Sequence, residues 1–336
     1  MADSGAYSCR VSCDRLEAEA ECMIGGEALS VRTNGGGMQV DYSDLSDIRL
    51  IDYRVVLETA GGKVEISSLG RQTEDFFENL WEAYGERSRK ALFVASEPLY
   101  AGEGDYAYTE QGMEAHGIAK VALYPDCLCI FPHDDRARRI PLCFADAPEA
   151  ADFWISLRLD TGDIYRVGRI GRSFDAVSEK IVTLQQKVAQ RWRKAHKELA
   201  DDLSARLAAD AEGYRRMESL GCRMVTGLYS LEDESFWFAG IRDGKAAVEW
   251  VTQEQTATYL YTFDTDEVVF ERSLRHALES AALHREVIYT DLDGKPLYRM
   301  TVRRSYHLRF LRDRFAGRII HNSSWPERLR EFILTH

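Results

Sequence analysis

Between residues 16 and 68, apolar and polar positions alternate in short runs that glycines interrupt. Leu16–Ile24 and Ala28–Arg32 flank Gly25-Gly26, and Met38–Tyr42 follows Gly35-Gly36-Gly37. Ile48–Ile51, Arg54–Thr59 and Lys63–Ser68 come next, the last two joined through Gly61-Gly62. Within the final run Val64 and Ile66 alternate with Lys63 and Glu65, the period of two that a half-buried strand requires. Glycine at 61 and 62 permits the positive φ angles of a tight hairpin. Beyond Gly70 the period lengthens: Phe76, Leu80, Ala83 and Tyr84 fall on one face of a helix, with Thr73 placed to cap it. The pattern predicts a meander of short antiparallel strands closed by one helix.

The same pattern returns about 100 residues later. Asp52-Tyr-Arg-Val-Val-Leu-Glu-Thr-Ala-Gly-Gly62 lines up with Asp152-Phe-Trp-Ile-Ser-Leu-Arg-Leu-Asp-Thr-Gly162, and Leu69-Gly-Arg71 with Ile170-Gly-Arg172. Strands are expected at Lys120–Tyr124, Cys127–Phe131, Arg139–Leu142, Phe153–Leu159 and Ile164–Ile170. A helix with Val177, Ile181, Leu184 and Val188 on one face follows, Ser173 being its expected cap. A repeat of this length is too long for a solenoid and suits two globular units in tandem.

A six- or seven-stranded antiparallel meander closed by a C-terminal helix resembles the pleckstrin-homology (PH-like) superfold, and the pairing is similar to that of uncharacterised bacterial proteins with tandem PH-like domains. The residues that carry the likeness are Asp52-Tyr-x-Val-x-Leu, Gly62, Leu69-Gly-Arg71, Phe76 and Leu80-Trp81 with their second-unit counterparts, over roughly residues 10–200. The resemblance implies an α+β chain: partly open antiparallel barrels at 10–95 and 100–199, each plugged by its helix. It also implies a protein or peptide partner added as a strand in the groove beside that helix. Phosphoinositide-binding members carry a basic cluster at the first hairpin. Here the corresponding turns, Ile24-Gly-Gly-Glu27 and Tyr124-Pro-Asp126, have only Lys120 nearby, so a phosphoinositide is not expected.

The helical pattern runs on to about residue 220. The basic run Arg191-Trp-Arg-Lys-Ala-His-Lys197 followed by Asp201-Asp202 matches one helix end and the next helix start, which predicts a break near 200 and a helical connector at 200–221. Residues 222–336 read as an α+β domain. Phe236-Trp-Phe-Ala239, Ala246–Val251 and Ala257–Phe263 are strands, with a turn at Asp243-Gly244 and a helix near 266–283. Further strands are expected at Glu286–Thr290 and Leu297–Val302, then one or two short helices. The strand-to-helix step at Phe263–Phe270 leaves open a diverged third PH-like unit.

Charge alters this picture in one place. The 336 residues carry a formal net charge of −12, which speaks against a whole surface built for polyanions. Between Arg299 and Arg330, however, nine arginines face two acids, a local charge of +7 that leaves −19 on the rest. The arginines serve one of two ends: pairing with the acidic body of the chain, or gripping phosphate or carboxylate groups of a partner. Arg303, Arg304, Arg309, Arg312, Arg314, Arg318 and His321 are the candidate anion- or partner-binding residues. The run Arg314–Asn322 also resembles a segment of the same bacterial proteins, which assigns it no chemistry.

A search for catalytic chemistry finds no phosphate-binding glycine loop, no dinucleotide fingerprint and no nucleophile elbow. The eight histidines are dispersed, with His276 and His284 expected at the surface or as caps, and His307 and His321 beside the arginines. Seven cysteines without a C-x-x-C read as free thiols. With no secretory signal pattern and no apolar run of spanning length, a cytoplasmic chain is expected. The expected function is a non-enzymatic binding or scaffold protein for a protein or peptide, without cofactor or metal. Nucleic acid or lipid binding at the arginine-rich stretch is one alternative, and an enzyme acting on an anionic small molecule in the C-terminal domain is the other.

Overall fold

In the computed structural model, residues 6–14, 16–229, 236–251, 256–281 and 284–335 are described, with side chains undescribed at 16, 192–211, 227–229, 236 and 256. The first seven strands are β1 (Tyr7–Cys13), β2 (Leu16–Ile24), β3 (Ala28–Thr33), β4 (Gly36–Asp41), β5 (Leu45–Ile51), β6 (Arg54–Thr59) and β7 (Gly62–Ser67). They form one antiparallel sheet in the order β4-β3-β2-β1-β7-β6-β5, followed by helix α1 (Thr73–Ala91). The second unit repeats the arrangement with β8 (Tyr100–Glu110), β9 (Met113–Leu123), β10 (Cys127–Pro132), β11 (Arg138–Pro141), β12 (Glu149–Ala151), β13 (Trp154–Arg158) and β14 (Ile164–Gly168). Its order, β11-β10-β9-β8-β14-β13-β12, is the same one shifted by seven strands. The sheets curl into half-barrels whose inner residues pack on the helices: Val11, Leu57 and Ile66 meet Phe76 and Leu80, and Val121, Leu157 and Val167 meet Val177 and Ile181.

The self-matching residues are the ones that make the sharpest turns. Ile51 pairs with Arg54 and Ala151 with Trp154, so Asp52-Tyr53 and Asp152-Phe153 are two-residue hairpin loops. Both residues of each loop lie in the left-handed region, at φ 48° and 58° and at 51° and 61°. That is a type I′ turn, where aspartate at the first position tolerates positive φ better than most side chains do. The Leu69-Gly-Arg match is a 3-10 turn that leads into α1, repeated at Gly171–Ser173. Neither expected cap operates. Thr73 donates its hydroxyl back to the Gly70 carbonyl (2.9 Å), and Ser173 makes no side-chain cap bond.

After β14 a single helix, α2 (Phe174–Ser219), runs for 46 residues, so the break expected near residue 200 and the separate connector are corrected to one rod. Phe174 to Glu212 contains no Gly or Pro, and end-matched charge alone does not stop a helix whose interior residues favour it.

The C-terminal part is a five-stranded sheet of β15 (Arg223–Tyr229), β16 (Phe236–Arg242), β17 (Lys245–Val251), β18 (Thr256–Thr262) and β19 (Phe315–Ile320), in that order. Helices α3 (Glu267–Ala281), α4 (Pro296–Arg304) and α5 (Tyr306–Arg314) intervene between β18 and β19, and α6 (Trp325–Leu334) ends the chain. One face packs Trp237, Val248 and Tyr261 on α3 and α5; the other packs Phe238, Ala247 and Leu260 on the end of α2 and on α6. Coverage of both faces is why these strands read as continuous apolar runs. The strands expected at 286–290 and 297–302 are instead a 3-10 turn (Arg285–Ile288) and α4, with Pro296 in the first helical turn, where its missing N–H costs nothing. A meander of four strands that regains a fifth after three helices does not repeat the seven-stranded order. Among the described residues no helix is long and apolar enough to cross a membrane.

Candidate functional site

Two places bring polar and aromatic side chains together across unit boundaries. The first is the edge of β5. Leu45 and Ile48 point into the core, and β5 is the last strand of its sheet, so its outer backbone groups need partners. The second unit supplies them. Ile48 N donates to the His133 carbonyl (3.0 Å) and Asp135 N donates to the Ser46 carbonyl (3.1 Å), an antiparallel bridge that centres on Asp47 and Asp134. Helix α1 forms the other wall. Trp81 Nε1 donates to the Phe131 carbonyl (3.0 Å), the Tyr84 hydroxyl donates to the Asp134 carbonyl (3.0 Å), and the His133 ring lies 3.8 Å from Trp81 and 5.0 Å from Phe77. Residues 131–135 are thus added as a short strand in the groove between β5 and α1. Burial, with Lys120 assisting, pushes His133 down to about 4, so the ring is neutral where it tilts against Trp81 and Phe77.

The second unit lacks the same receptor. Counted from the type I′ turns, Pro148 occupies the place of Ile48 and has no N–H to give. Counted from the helix starts, Ser178, Val182 and Gln185 replace Phe77, Trp81 and Tyr84, and Gln185 donates instead to the Ala145 carbonyl (2.8 Å). The strand-addition groove was expected from the resemblance, but its intrachain occupant was not. The loop His133–Arg139 shows no apolar pattern that would have marked it.

The second place is a cavity of about 50 Å3 where the three units meet, lined by Glu110, Arg138, Arg139, Tyr165, His276, Glu279, Arg304 and His307 among others. Arg138 Nε donates to both Glu110 oxygens (3.0 and 2.9 Å), and the Tyr165 hydroxyl donates to the same carboxylate (2.8 Å). Arg139 forks onto Glu279 (2.5 and 2.9 Å) and also reaches Asp126 (2.9 Å). His276, only 4% exposed, meets Asp160 at 2.6 Å and stacks on Phe144. This corrects its expected surface place. His307 sits 4.5 Å from the His276 ring, and burial, with His276 adding to it, holds its proton affinity well below the usual imidazole range. His284 stacks on Phe93 of the first unit's exit loop, at 4.4 Å.

The seven residues proposed from sequence do not converge on one surface. Arg303 Nη1 donates to the Ser43 carbonyl (3.0 Å), and Arg304 Nη2 donates to the Tyr84 hydroxyl (2.5 Å), both in the first unit. Arg299, from the same helix, pairs with Asp44 (3.0 Å). Arg312 donates to the Val287 and Thr290 carbonyls (2.5 and 2.8 Å). Arg314 lies 3.7 Å above the Phe310 ring, Arg309 lies over Tyr306 and Arg318 over Tyr289. His321 stacks on Trp325 at 4.1 Å and meets Thr258 Oγ1 at 2.9 Å, on the far side of the third sheet. Burial lowers its proton affinity. Several of these arginines thus contact carbonyls, a phenol or rings of the same chain, and Arg299 an acid.

No family model matches the chain, and no curated protein does. Among solved structures, the Spt16D–Pob3N heterodimer is similar over 47% of this chain and 86% of that chain, at 12% identity and a TM-score of 0.21.

Proposed function

We propose that the chain is a non-enzymatic binding or scaffold protein, built on tandem PH-like units, that engages a protein or peptide partner by strand addition at the first unit. The duplicated half-barrels with closing helices are compatible with such units. The observation that carries the reading is the edge of β5. It already accepts one extended segment, residues 131–135, whose backbone bonds stop at Ile48. Past that point the edge continues into an apolar tip, with Leu50 38%, Ile51 42% and Tyr53 77% exposed. A partner strand that continues the addition would cover these side chains. Phe153, 73% exposed at the matching turn of the second unit, offers a second contact.

Affinity capture from native cells with paired variants tests this. Ile51→Ser with Tyr53→Ser is expected to reduce partner recovery at least about tenfold, as loss of a hot spot does. Arg309→Glu with Arg318→Glu is expected to leave recovery unchanged. The reverse pattern, together with retention on a polyanion column at low salt, would sink the reading in favour of an arginine-centred anion surface.

A further inference from the structure

Arg304 is a deeply placed charge in the C-terminal part, only 1% exposed. Its Nη2 donates to the Tyr84 hydroxyl and its Nη1 to the Met300 carbonyl (3.4 Å), while Nε has no partner. Among the described residues no carboxylate lies within 4.0 Å of the guanidinium. Asp135 acts on it only from farther away, whereas Arg138 and Arg303 repel it. A buried charge without a counter-charge is costly, because neither phenol nor carbonyl supplies more than a dipole. Its neighbours do not share the problem: Arg138 is neutralised by Glu110, and Arg139 by Glu279.

Arg304 also lines the junction cavity, and so do His276, His307 and Tyr306. Among the arginines and carboxylates of the wall, three guanidiniums face two carboxylates, Glu110 and Glu279. The space of about 50 Å3 has room for a few waters or one small ion. A divalent anion would overcompensate the single open charge and meet those two carboxylates. We infer that the cavity between β8, β11, α3, α4 and α5 is an anion site that takes one small inorganic monoanion of chloride's charge and size as the counter-ion of Arg304. Through Tyr84 on α1 and the α4–α5 junction, such an ion would tie the first unit to the third.

The test is thermal melting of the full chain at fixed ionic strength while chloride is exchanged for gluconate, which is too bulky for the site. Chloride is expected to raise the melting temperature saturably, by roughly 2–4 °C. Sulfate at equal ionic strength is expected not to substitute. In the Arg304→Met chain, which keeps the length of the side chain without its charge, the chloride effect should vanish. Should that chain not fold, crystals of the unaltered protein soaked in bromide should show anomalous density in the cavity. A melting temperature flat across the exchange, an equal response to sulfate, a chloride effect kept in full by Arg304→Met, or bromide density only outside the cavity would each overturn the inference.

Discussion

Trp81 illustrates how much one side chain decides here. Its ring fills the wall of the groove, and its Nε1–H satisfies the buried Phe131 carbonyl. Trp81→Phe keeps most of the ring but orphans that carbonyl, so a loss of about 1–3 kcal/mol in urea unfolding is expected. His133 makes a second residue-scale prediction. The unfolded chain takes up a proton near the ordinary value of 6.5, the native chain only near 4, so the unfolded state binds more protons between the two. Stability from this group is complete above 6.5 and is lost as pH falls toward 4. His307 acts with the same sign. A His133→Phe chain, which keeps an aromatic ring there without titrating, should show a shallower fall of the urea midpoint over that window. Some of this was legible in the sequence: the doubled Asp52 and Asp152 mark the doubled turns. Arg304 was not legible. In a run of nine arginines nothing local distinguishes the one whose partner, Tyr84, stands 220 residues earlier.

Among elements, α2 and the third sheet depend on close approach at one point. A Cβ at Gly213 would overlap the carboxylate of Glu249 on β17. In an open helix Gly→Ala stabilises by about 1 kcal/mol. Here Gly213→Ala should destabilise by about 1–3 kcal/mol through overpacking. A double-mutant cycle with Glu249→Ser should recover part of the loss, since the second change makes room. The half-buried strands and the amphipathic helices α1 and α3 were readable because their period records which face is covered. The two strands expected near 286–302 failed on short apolar runs, for which length and periodicity do not separate strand from helix. Leu297, Met300, Thr301 and Arg304 lie at i, i+3, i+4 and i+7 behind Pro296, and that spacing was the available signal.

For the whole molecule, the helices that intervene in the third sheet pack against both other units. Helix α4 inserts Met300 into the first unit's core and anchors Arg299 on Asp44, while α3 grips the second unit through Arg139–Glu279 and His276–Asp160. The third unit therefore bridges the other two, and no boundary read from the linear repeat reveals that. Met300→Ala, remote in sequence from the first unit, should cost about 2–5 kcal/mol and lower the midpoint reported by first-unit probes such as Trp81. Equal midpoints from Trp81 and Trp237 would mark a single cooperative transition, and separated midpoints would show that the bridge is weak.

The tandem is also polar, in the sense that a chain of links is polar. The second unit presents the inserting loop and the first the receiving edge, a heterologous contact that would propagate without limit if every unit carried both halves. Propagation is blocked at each end. Pro148 removes the receiving donor from the second unit, and the equivalent loop of the first is closed to the two-residue turn between Thr33 and Gly36. Within one chain the insertion is therefore made once, but each copy still carries one inserting loop and one receiving edge: reciprocal exchange between two copies would give a closed pair, and head-to-tail exchange an open chain.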